Sequence, residues 1–199
     1  MRKHLILTAV AALAASGAAL ADDLSYTYVQ GDLHLSRIKA GTSEDGTGLG
    51  VNGSFGFAGN FFGFAGVDTT KYKDVDFKVT NLSLGAGGHV PLGSVDFVGG
   101  VSYESVKFSN GGSETFSGWG ISAGVRAAAN DKIQWNAGLK YKDVDDLKSV
   151  LSLNVGGRYF FKSNMSAGLD LTHNQYDKDT FDAKENILAA SFRYDFAGL

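Results

Sequence analysis

Residues 133–142 read Ile133-Gln-Trp-Asn-Ala-Gly-Leu-Lys-Tyr-Lys142. Ile133, Trp135, Ala137, Leu139 and Tyr141 share one parity, and Gln134, Asn136, Gly138, Lys140 and Lys142 share the other. Strict alternation of this kind belongs to a strand with one apolar and one polar face. The same pattern runs outward in both directions. Trp119, Ile121, Ala123 and Val125 alternate with Gly118, Gly120, Ser122, Gly124 and Arg126. Leu151, Leu153, Val155, Tyr159 and Phe161 alternate with Ser152, Asn154, Gly156 and Arg158. Leu188, Ala190, Phe192, Tyr194 and Phe196 do so with Ala189, Ser191, Arg193 and Asp195. Helical spacing is nearly absent after residue 22.

The direction of the faces follows from what they carry. The polar face mixes small residues with both signs of charge: Asp32, Asp96, Glu104, Arg126, Lys140, Arg158, Asp170 and Arg193. That suits a crowded, hydrated interior. The apolar face ends in aromatics (Tyr103, Trp119, Tyr141, Tyr159, Phe161), as do the interfacial girdles of a barrel in lipid. At the N-terminus, Arg2 and Lys3 precede an apolar run from Leu5 to Leu13 and the small-x-small site Ala19-Leu20-Ala21. This is the layout of a secretory signal peptide over 1–21, leaving 22–199 as one domain. Export and inverted alternation together predict an all-β, antiparallel, up-and-down transmembrane β-barrel in a bacterial outer membrane, reached through the periplasm.

Composition removes other classes. There is no cysteine, so disulfide scaffolds, zinc fingers and thiol enzymes are out. A net charge of −3 gives no footprint for nucleic acid. Strands are expected near 24–38, 49–57, 61–67, 77–88, 95–106, 115–127, 133–142, 149–161, 165–174 and 186–196, with an eight-strand count as the alternative. Tight turns are expected at 58–60, 91–93 (with the only proline), 130–132 and 162–164, and five longer outer loops at 39–48, 68–76, 107–114, 143–148 and 175–185. Phe55-Gly-Phe-Ala-Gly59 recurs as Phe62-Gly-Phe-Ala-Gly66, and Tyr72-Lys-Asp-Val-Asp76 as Tyr141-Lys-Asp-Val-Asp145, which reads as an echoed hairpin unit.

The alternating chain resembles the small outer-membrane β-barrel family of OmpA-barrel, OmpX-like and opacity-like proteins. Leu24-Ser-Tyr-Thr-Tyr-Val-Gln-Gly-Asp-Leu33 is similar to the first strand of the short barrel proteins described as quorum-sensing-regulated. Phe192-Arg-Tyr-Asp-Phe196 resembles the aromatic signal read by the barrel assembly machinery, although Ala197-Gly198-Leu199 follow where such signals end on Phe. The resemblance implies lipopolysaccharide and the assembly machinery as partners, an unidentified surface ligand, and a monomer.

Chemical motifs are weak. Gly48-Leu-Gly-Val-Asn-Gly53 fits GxGxxG, but that fingerprint needs a following helix, so the glycines are read as space for neighbouring side chains. His34 and Ser36 are read as lumen hydrogen-bonders and His89 as a turn residue. His173 and Asp170 are three apart and therefore on opposite faces. No catalytic, cofactor-binding or metal site is expected, and no enzymatic activity. Glu44, Asp45, Asp74, Asp76, Asp143, Asp145, Asp146, Asp177, Asp179, Asp182 and Glu185, interleaved with Lys71, Lys73, Lys142, Lys148, Lys178 and Lys184, are read as a solvated rim. Arg126, Lys140, Arg158 and Arg193 are expected to pair with Asp32, Asp96, Glu104 and Asp170 and so to close the lumen. The expected role is structural or surface contact through the loops, with a narrow porin-like channel as the alternative.

Overall fold

A computed structural model describes residues 24–73, 77–145, 148–176 and 183–196. The segment assigned to a signal peptide, with Asp22, lies outside them, as do Asp74, Asp76, Asp146, Asp177, Lys178, Asp179, Asp182 and the terminal 197–199. Ten antiparallel strands form one closed sheet. They are β1 (Tyr28–Ala40), β2 (Thr42–Phe57), β3 (Phe61–Tyr72), β4 (Phe77–Leu92), β5 (Val95–Ser109), β6 (Ser113–Asn130), β7 (Ile133–Val144), β8 (Lys148–Lys162), β9 (Met165–Tyr176) and β10 (Lys184–Asp195). Each pairs with its successor, and β10 returns to β1 from Tyr28↔Asp195 to Lys39↔Lys184. The closed ladder leaves no sheet edge. The eight-strand alternative falls, because β3 is a full strand of 12 residues paired on both sides.

Parity works as read. Leu33, Leu35, Leu49, Leu84, Leu169 and Leu171 point outward, and Leu33 is 69% exposed. Soluble proteins rarely leave a contiguous apolar belt of this kind in water. Outward aromatics bound it: Tyr103, Trp119 and Tyr141 on one side, and Phe57, Phe61, Phe97, Tyr159 and Phe161 on the other. The four tight turns and residues 24–27 share the latter end, the one that in outer-membrane barrels faces the periplasm.

The outer loops are shorter than expected. β1 and β2 turn on Gly41 alone, with Ala40 paired to Thr42, and Gly41 sits at φ 79°, where a side chain would be strained. Residues 43–48, 68–72, 107–109, 113–114 and 175–176 are strand. Strands of 12 to 18 residues exceed the roughly 9–11 needed to cross lipid, so the wall projects beyond the membrane. There the alternation changes sign. On β5 the outward series runs Phe97, Val101, Tyr103 and then Ser105, Lys107, Ser109. The inward series runs Gly100, Ser102, Glu104 and then Val106, Phe108. Likewise Ile38 points inward between outward Arg37 and Lys39, and Phe116 between Thr115 and Ser117. With water outside, the projecting wall is apolar on its inner side.

Two further expectations are corrected. Pro91 lies within β4, opposite Asp96, and the tight turn is Gly93-Ser94. His89 N–H donates to Asn60 O at 2.8 Å, so the Pro91 nitrogen, two residues on, faces the same side beyond the end of β3, where no ladder bond is lost. The echo of Phe55–Gly59 in Phe62–Gly66 is not a structural repeat: Phe55 and Phe57 face lipid, whereas Phe62 and Phe64 face inward.

Facing predicts folding cost. Val155→Arg places a charge on the lipid side near mid-strand of β8 and should destabilise the barrel by about 2–4 kcal/mol. Asn154→Arg, beside it but facing the cavity, should cost much less. Denaturant titration in lipid bilayers measures both, and equal penalties would contradict the facing.

Candidate functional site: the lumen and its N-terminal plug

The barrel encloses a cavity of about 1260 Å³. Close approach explains part of the glycine content. A Cβ at Gly48 would collide with the His34 ring, and one at Gly50 would lie 2.7 Å from an Asp32 carboxylate oxygen. The GxGxxG match is therefore space for two lumen side chains, as read.

The expected acid–base closure forms in one place only. Lys140 Nζ is 2.7 Å from Glu104 Oε1, which also accepts from Ser102 Oγ at 2.5 Å. Asp32 meets His34 at 3.3 Å, and Asp170 accepts from Asn136 at 3.4 Å. Arg158 donates to Gln30 at 2.7 Å and Ser166 at 3.2 Å. Asp96 accepts from Tyr26 Oη at 2.8 Å and stands 3.0 Å from His89 Nδ1. Arg193 bonds Asp195, the next inward residue of its own strand, and stacks on the Tyr28 ring at 3.6 Å. These charges meet near neighbours or neutral groups, so they leave the mid-lumen unfilled.

His34 and Ser36 are lumen hydrogen-bonders. His34 Nε2 is 2.9 Å from Thr70 Oγ1, while Ser36 donates to Glu185 Oε1 at 2.5 Å, so the pair has no nucleophile–base contact. His89 is not a turn residue but an inward residue of β4. His173 faces outward, 2.8 Å from Asn186 Oδ1, away from Asp170. Of the acids read as a rim, Asp45 accepts from Arg37 at 2.6 Å in the open, but Glu185 is buried and Glu44 lines the cavity. Lys142 lines it too. Among the described residues no three His, Asp or Glu side chains gather as metal ligands would.

Two features escaped sequence reading. The first is a carboxylate hub: Glu185 accepts from Ser36, Tyr72 at 2.7 Å, Asn174 at 2.9 Å and Tyr176 at 2.8 Å. Its inward parity on β10 was the available signal. The second is residues 24–27, expected as strand, which instead turn into the periplasmic mouth. In a ring of ten strands β6 lies opposite β1, and Leu24 and Tyr26 share one buried apolar cluster with Phe62 of β3 and Ala128 of β6. Tyr26 stacks on His89 (4.0 Å) and Phe62 (5.0 Å) beneath Arg126 (4.6 Å). Arg126 and Arg193 both donate to Ser25 O, at 3.1 and 2.9 Å. The segment thus reaches from β1 into the mouth and meets side chains of β3, β4, β6 and β10. Tyr26 joins the echoed Phe62, which faces inward to meet it.

A family model for the outer membrane protein beta-barrel domain matches residues 5–155. The chain belongs to that family. The membership places this barrel in the bacterial outer membrane. Among solved structures it is similar to the beta domain of the Bordetella autotransporter BrkA, at 10% identity and TM-score 0.56, over 86% of this chain and 100% of that one. It is also similar to the translocator domain of the autotransporter NalP from Neisseria meningitidis, at 14% and 0.54, over 98% and 95%. An outer membrane channel from Pseudomonas putida F1 matches at 10% and 0.50, over 88% and 97%. At such identities the likeness is one of fold. No curated protein matches the sequence.

The Glu185 hub yields a stability prediction. Glu185→Ala removes the shared acceptor of three buried donors (Ser36, Tyr72, Asn174) and of the part-buried Tyr176, and should cost about 2–4 kcal/mol. Denaturant unfolding measures it, and a loss under about 0.5 kcal/mol would mean that water replaces the carboxylate freely.

Proposed function

We propose that this protein is a narrow outer-membrane conduit for small solutes, reached by export through the periplasm and held shut from the periplasmic side by its own residues 24–27. The observation that carries this reading is the plug. A barrel serving only as a scaffold has no need of a hydrated cavity stoppered at one end. Seven carboxylates and five cationic side chains line that cavity, so an opened lumen favours cations.

The plug is held only marginally. Burying Leu24 and Tyr26 contributes about 3–6 kcal/mol, while ordering four residues costs about 4–8 kcal/mol. The hydrogen bonds of Tyr26 to Asp96 and of the two arginines to Ser25 O therefore decide whether it stays in place. A stopper so balanced can leave without unfolding the barrel.

A second reading, surface contact, is favoured by the projecting wall and its polar exterior of Arg37, Lys39, Asp45, Lys78 and Lys107. Lipopolysaccharide would be the nearest partner of those cations.

Planar-bilayer conductance separates the two. The wild-type barrel should be nearly silent, and the double variant Leu24→Gly, Tyr26→Gly should conduct with a preference for cations. A correctly folded double variant that stays silent would overturn the conduit and leave surface contact as the reading.

A further inference from the structure

Beyond the outer girdle the lumen changes character. Four inward aromatics stand in a row across β3 to β6. Tyr72 and Phe77 have ring centroids 6.2 Å apart, Phe77 and Phe108 5.4 Å, and Phe108 and Phe116 5.9 Å. Tyr72 is buried, the three phenylalanines are part-exposed, and all four line the cavity. At each end of the row stands an inward carboxylate. Glu114 is the cross-strand partner of Phe108. Glu44 is one inward step outside Gly46, the cross-strand partner of Tyr72. Glu44 has a buried Oε2 with no hydrogen-bond partner, and neither acid forms an ion pair among the described residues.

An apolar mouth needs no acids for its own stability, and the buried, unpartnered oxygen of Glu44 is costly unless something positive joins it, while Glu114 stands exposed at the other end of the row. We propose that this outer mouth binds a monovalent organic cation with a hydrophobic, ring-bearing body. Ring faces present negative potential to a diffuse cation, and the two carboxylates supply the countercharge from either side. A hydrated metal ion would instead require several converging oxygen ligands, whereas Glu44 and Glu114 stand at opposite ends of the row and the third nearby acid, Glu185, already accepts from four donors. An anion would meet Glu44 and Glu114 before reaching the cationic groups deeper in the lumen, where Lys140 is already held by Glu104. The site lies wholly outside the plug, so binding does not depend on conduction.

Tetraphenylphosphonium and tetraphenylborate have nearly the same shape and opposite charge, which makes them suitable probes. Each is titrated calorimetrically into the full barrel in nanodiscs, with empty nanodiscs subtracted. The phosphonium should bind saturably at one site, and the borate should show no saturable binding. Glu44→Gln with Glu114→Gln should weaken the phosphonium at least tenfold, and so should Phe108→Ala, while heat-modifiable gel migration confirms that the variants remain folded. Saturable binding of both ions alike, no saturable phosphonium binding, or an affinity unchanged in the folded double variant would each overturn the proposal.

Discussion

Inside a bilayer no water is available to a backbone N–H or C=O, so every such group in the spanning wall must find its partner in the protein. The β1–β10 ladder satisfies that demand by joining the first strand to the last along nearly its whole length. Once the ring is closed, side-chain parity has only two destinations, lipid or lumen. Everything else in the molecule is a consequence of which destination is wet.

Between the aromatic girdles the outer side is hydrocarbon, so leucine and valine face out and the charged residues face in. Above the outer girdle both sides of the wall meet water, and the ordinary rule of soluble proteins returns, with Val106 and Phe108 inside and Lys107 and Ser109 outside. The lumen thereby acquires three zones. An apolar mouth lies outermost, a charged mid-section follows, and a floor is built from Leu24, Tyr26 and Phe62. The glycines belong to the same scheme: they leave room at the wall for His34 and Asp32, whose side chains would otherwise have no space.

The alternation at 133–142 and its repeats made strand number, facing and the identity of the lumen charges legible, because period two is a local property. What stayed hidden was set by contacts between distant segments. Ser25 and Tyr26 alternate as a strand would, and it is contacts with Arg126, Arg193, Asp96, His89 and Phe62 that draw them into the floor. Much of the projecting wall reads as loop because its residues are polar on the outside, although Phe108 continues the inward apolar parity that Ile38, Val106 and Phe116 show at the ends of the expected strands. Pairing of lumen charges was misjudged for a different reason. Opposite signs on one face need not face each other, and register joins Arg193 to its own neighbour Asp195.

The change of sign at the outer girdle is the most direct test of this account. Because the chain has no cysteine, single cysteines at 101, 103, 107 and 108 on β5 can carry spin labels without interference. Oxygen and a water-soluble nickel chelate then report the surroundings of each label. The account predicts oxygen-rich, chelate-poor sites at 101 and 103, a chelate-accessible site at 107, and low access to both reagents at 108. A lipid-like profile at 107, or greater chelate access at 108 than at 107, would contradict it.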